Sequence, residues 1–154
     1  MARTRLCPVY RFRSGNTVSA SQWAEAMSDA ERWLGDRKVA LNRGDLGFGH
    51  DAVMAWHEET AVRPKFLFKL KLTALVRTAL HRIQETDWQG PAMLGACQMT
   101  EGRIQLTGWK TARRVIFART LQGVAPAASR AEFWDQHKHQ FAVYVTNLPD
   151  EVNG

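Results

Sequence analysis

The chain has 154 residues, 45% of them hydrophobic and 23% charged, with a formal net charge of +6 at pH 7. This composition suits one globular domain with a real core and excludes an intrinsically disordered chain. It contains no run of about eighteen apolar residues and no apolar signal-peptide core in MARTRLCPVYRFR, so neither a membrane-spanning helix nor secretion is expected.

In chain order, residues 8–13 (PVYRFR) suggest a strand and SGNT a turn. Ser19-x-x-Gln22 has the pattern of a helix capping box. Trp23, Ala26, Met27, Ala30, Trp33 and Leu34 then recur at helical spacing, and Gly35 can end the helix. Residues 38–43 form a short strand, turned by Gly44-Asp45-Leu46-Gly47. Residues 50–60 make a second helix with Val53 and Trp56 on one face. In KFLFKLKL, residues 65–72, Phe66, Phe68, Leu70 and Leu72 point one way while Lys65, Leu67, Lys69 and Lys71 point the other. That is a strand with a mostly basic outer face. Leu75, Val76, Ala79, Leu80 and Ile83 return to helical spacing, completing a strand-helix alternation of α/β type.

The style changes near residue 88. Glycines punctuate short β-rich runs (ACQMT, RIQLTGW, RRVIFART), the pattern of an antiparallel meander. Residues 126–129 read as a loop, and 141–147 (FAVYVTN) as a final apolar strand belonging either to the core or to the meander. The organisation expected is a core over 1–87, a β-rich insertion over 88–140, and a returning strand and tail over 141–154. Cys7 and Cys97 have no zinc-type spacing, which points to a reducing, cytoplasmic setting.

Charge is unevenly spread. Residues 63–130 carry twelve basic and three acidic residues, a net of +9, the footprint of a polyanion partner. Within 103–130, Arg103, Lys110, Arg113, Arg114 and Arg119 are candidates for phosphate contact, with Trp109 among them for stacking or for core packing. If 113 and 114 lie on a strand, these two arginines face opposite ways, and one of them points inward. Asp45 sits where α/β sheets place their chemistry, at the end of a strand. Two or three such carboxylates can hold paired metal ions about 3.5–4 Å apart for phosphoryl displacement; alone, an Asp there can simply shape the turn. The five histidines come with no cysteine cluster or HExxH motif, so no zinc site is expected.

Four stretches in order, FRSGNTVSA, VALNRGDLGF, IQLTGWKTARRVIFAR and FAVYVTNLP, together resemble the DDE transposases of bacterial insertion sequences. The resemblance covers nearly the whole chain. It implies a partial ribonuclease H-like α/β fold carrying a β-rich insertion, with DNA as partner. It also implies magnesium-dependent cutting and joining of DNA strands by three carboxylates. Asp45 would be the second of these, catalytic and metal-binding.

The chain departs from the family pattern at both ends. The family's first Asp lies upstream of the segment similar to FRSGNT, whereas the first acidic residue here is Glu25. The third acid lies beyond the strand similar to FAVYVTN, in a context that Asp150 and Glu151 lack. Leu46 replaces a small polar residue. The expectation is therefore a transposase piece truncated at both ends. It would be inactive alone, bind Mg2+ weakly, and be prone to self-association or to pairing with missing transposase segments. A non-catalytic basic nucleic-acid-binding domain and a small module that meets an acidic protein are the alternatives.

Overall fold

The computed structural model describes residues 19–122 and 139–149. A 3-10 turn at Ser19–Gln22 leads into α1 (Trp23–Leu34). Then come β1 (Leu41–Gly44), α2 (Asp51–Glu58), β2 (Lys65–Lys69) and α3 (Ala74–His81). A second 3-10 turn at Glu85–Asp87 precedes β3 (Cys97–Ile104), β4 (Arg113–Leu121) and β5 (His139–Thr146). The five strands form one sheet in the order β1-β2-β5-β4-β3. β1 and β2 are parallel, and every other pairing is antiparallel. The fold is thus mixed α/β. No helix among the described residues is long and apolar enough to cross a membrane. The expected strand at 8–13 and loop at 126–129 lie outside the described residues.

Alternation decides the two faces of the sheet. Phe66, Phe68 and Leu70 are buried, while Lys65 and Leu67 are half-buried and Lys69 exposed. Phe66 and Phe68 stack with ring centroids 4.9 Å apart. Trp23 of α1 meets Phe68 at 5.9 Å and Phe48 at 5.4 Å, and His57 of α2 meets Phe66 at 5.4 Å. With Val53, Met54, Val76, Val115, Phe117, Val143 and Val145 these residues make one core between the sheet and its helices. Each fully buried large apolar side chain there contributes about 1.5–3 kcal/mol.

The β-rich half adds to this same sheet rather than starting another. β5 lies between β2 and β4, so the strand suspected of belonging to either part joins both. Its end is clamped to β2: Thr146 Oγ1 donates to the Phe66 carbonyl at 2.6 Å, and Asn147 Oδ1 accepts from the Phe66 amide at 2.8 Å.

Two local expectations are corrected. The Ser19-x-x-Gln22 capping box does not open α1, because a 3-10 turn occupies those residues and Gln22 is the N-cap without a side-chain cap bond. Trp33, counted with Met27 in the apolar pattern, remains 53% exposed while Met27 is buried; six residues apart, the two lie about 120° apart round the helix. A cap that the spacing alone did not show starts α3, where Thr73 Oγ1 accepts from the Val76 amide.

His57 is buried to 1% exposure, and its Nδ1–H donates to the Pro64 carbonyl at 2.8 Å. Burial lowers its pKa, with the bond to Pro64 partly offsetting this. A folded-state pKa below the unfolded value of about 6.5 means that the unfolded chain takes up the proton first as pH falls. The stability His57 contributes is therefore fully present above about pH 6.5 and declines below it. Urea unfolding between pH 8 and 5 should show this fall, and His57→Asn, whose amide can keep the bond to Pro64, should flatten it.

Candidate functional site

Asp45 directly follows the last residue of β1, at the carboxyl end of the parallel strand pair. The register Gly44↔Phe68 carries it to the level of Lys69. Its backbone carbonyl accepts from the Phe48 amide at 3.0 Å, which closes the turn. The carboxylate itself is exposed and makes no hydrogen bond or ion pair with the described residues. The turn is therefore closed by the main chain, with no part played by the carboxylate among the described residues.

Glycine is required just before it. A Cβ on Gly44 would stand 2.8 Å from ring carbons of both Phe48 and Phe68. The chain thus folds Phe48 back over the strand end, and Asp45 stands at the rim of that aromatic cluster.

The segment after Asp45 is fastened from the other half of the chain. Trp109 Nε1–H donates to the Gly49 carbonyl at 3.1 Å, and the Lys110 amide donates to Asp51 Oδ1 at 3.0 Å. Arg113, 5% exposed, donates through Nη1 to Asp51 at 2.6 Å and through Nε and Nη2 to Glu58 at 2.8 Å. The Arg113 guanidinium also lies 5.5 Å from the Trp109 ring. The hydrogen bond from Arg113, partly offset by burial, holds the Asp51 carboxyl below its usual range.

The structure separates the sequence's candidate phosphate contacts. Arg113 and Arg114 do face opposite ways. Arg114 binds Glu101 and the carbonyl of Leu148. Arg119 is 6% exposed, bound to Gln98 and Glu85, and stacked 4.5 Å from Trp88. Its hydrogen bond depresses the Glu85 pKa. Trp109 is core, at 7% exposure. Arg103 and Lys110 remain exposed, and neither forms an ion pair among the described residues. Arg103, Arg113 and Arg114 still line one groove of about 340 Å³ with Thr111 and Asn147.

Magnesium is taken by several hard oxygen ligands, and usually by more than one carboxylate or phosphate. Beside Asp45 the nearest acid in sequence is Asp51, already committed to Arg113. No group of three or more His, Cys, Asp or Glu that could hold a metal ion occurs among the described residues. The described residues do not by themselves fit a magnesium site. No family model matches the chain, and no curated protein matches it significantly.

Two outcomes follow from this geometry. Gly44→Ala should cost about 1–3 kcal/mol, because two packed rings must move, read as a lower urea midpoint with unchanged slope. Arg113→Met should cost about 3 kcal/mol, the lower end for a buried pair that loses one partner, since Glu58 keeps about a third of its surface in water. Differential scanning calorimetry of that variant checks it.

Proposed function

We propose that this chain belongs to a DDE-type transposase, with Asp45 as one of the carboxylates that hold magnesium for DNA strand cleavage and transfer in a ribonuclease H-like fold. The observation that carries the reading is the exposed Asp45 carboxylate, without a hydrogen bond or ion pair among the described residues, at the carboxyl end of β1, where α/β sheets bind their ligands. Its side chain makes no turn hydrogen bond among the described residues. The strand-helix-strand-helix order of β1, α2, β2 and α3 suits the reading, as does the outer edge of β1, which pairs with no strand among the described residues. Further acid-bearing strands can add at that edge.

One carboxylate cannot clamp two metal ions against a phosphate, so Asp45 needs partner acids supplied from outside the described residues. Alone, the chain is expected neither to nick nor to join DNA with magnesium or manganese. A fusion that supplies the first and third acids from a DDE transposase, assayed on supercoiled DNA, tests the assignment. Cleavage that Asp45→Asn abolishes supports it. Equal cleavage with Asn at 45 sinks it. The second reading, a non-catalytic nucleic-acid-binding domain, draws on the cations of β1 and β2 that stand outside ion pairs.

A further inference from the structure

The sheet face turned away from α1 and α2 carries a row of cations that stand outside ion pairs among the described residues. Parallel register pairs Leu41 with Lys65 and Arg43 with Leu67, so these side chains share a face with Lys69 and point away from Phe66 and Phe68. Arg43 and Lys69 are exposed and Lys65 half-buried, and none of the three forms an ion pair among the described residues. The same face continues through Tyr144, paired with Lys69, to Ile116 and to Arg103, an arginine of the β-rich half that is also outside any such ion pair. Its one acidic side chain among the named strands, Glu101, is taken up by Arg114. No described helix covers this face.

By contrast, most of the basic residues that stand out in the sequence between 103 and 119 are neutralised internally. Arg113 serves two carboxylates, Arg114 one and Arg119 one. An arginine held in that way has little charge to offer a phosphate. The cations of residues 63–130 outside ion pairs among the described residues include Lys71, Arg77, Arg82 and Lys110, and Lys65 and Lys69 are those on this sheet face.

We propose that the outward face of β1 and β2 is a DNA-binding surface, with the phosphate backbone laid along Arg43, Lys65 and Lys69 toward Asp45. Charge complementarity selects the occupant. These cations stand on one sheet face, spaced along and across two adjacent strands, with Leu67 and Tyr144 between them. Lys65 and Lys69, four residues apart on β2, stand about 13–14 Å from each other, with Arg43 on the neighbouring strand level with Leu67 between them, so the three can meet different phosphates. The inference deepens the transposase reading by naming how DNA reaches Asp45. It survives without that reading, because binding needs no metal and no second acid.

The test uses the whole chain and a labelled 20-base-pair duplex, followed by fluorescence anisotropy from 25 to 200 mM KCl. Lys65→Gln/Lys69→Gln should weaken binding at least tenfold at 50 mM. It should also flatten the log–log salt dependence by about 1.8, that is about 0.9 for each phosphate no longer neutralised. Lys110→Gln, outside this face, should change affinity less than twofold. Circular dichroism and thermal unfolding confirm that the variants fold, and Lys69→Glu gives a second, single-site reading in the same direction. The proposal is overturned if the double variant binds as the parent does, if no duplex binds at 25 mM KCl, or if Lys110→Gln weakens binding as much. It is also overturned if the double variant abolishes self-association while leaving DNA affinity unchanged, which marks the face as a protein interface. Any of these results leaves the Asp45 cleavage test standing on its own.

Discussion

Arg113 ties the β-rich half of the chain to α2, bridging 62 residues to Asp51. From the first residue of β4 it reaches over the sheet to both ends of α2, binding Asp51 at one and Glu58 at the other. A guanidinium suits this place because its fork of donors can serve two carboxylates at once, and a lysine would satisfy one. Trp109 and Lys110, just before it, bind Gly49 and Asp51 through one indole and one main-chain N–H. The segment joining β3 to β4 is thereby latched onto the chain that leaves Asp45. Besides the latch, α2 is held by the packing of Val53 and Met54, which carries little directional restraint, and by the His57 hydrogen bond to Pro64. The latch fixes where α2 begins, and so where the turn at Asp45 must end.

The elements that local pattern dictates were legible. KFLFKLKL alternates over a strand whose one face is core, and FAVYVTN has the β-branched and aromatic content of a strand with neighbours on both sides, as β5 has between β2 and β4. Asp45 could be placed at a strand end because Gly44 and Gly47 flank it. The helix start at Ser19 was misjudged because a 3-10 turn and a capped α-helix share the same short polar signature. Trp33 was counted with the apolar face, but six residues from Met27 it lies about 120° round the helix from that buried side chain and is exposed.

What the sequence could not show is which cations are already used. Arg113 and Asp51 are 62 residues apart, Arg113 and Glu58 55, and Arg119 and Glu85 34. No local rule pairs them; only the register of β4 in the sheet brings them together. A count of charge along the chain therefore pointed to residues 103–119 for a phosphate partner, and tertiary pairing removed most of that surplus. The burial of Trp109 has the same origin, because its partner Gly49 lies 60 residues earlier.

The same pairing sharpens the site that remains. Burying an arginine is tolerable only with its carboxylates attached, so Asp51, Glu58 and Glu85 are withdrawn from any other task along with Arg113 and Arg119. Among the described residues, Asp45 at the carboxyl end of β1 is left without an ion pair, as are Lys65, Lys69 and Arg43 on the adjoining face. A phosphate drawn along those cations approaches a negative group, and that approach is repulsive unless a divalent cation stands between them. The cationic face and the carboxylate at its end are thus opposite in sign, so an anion held by the first is repelled by the second, and whatever binds there must meet both.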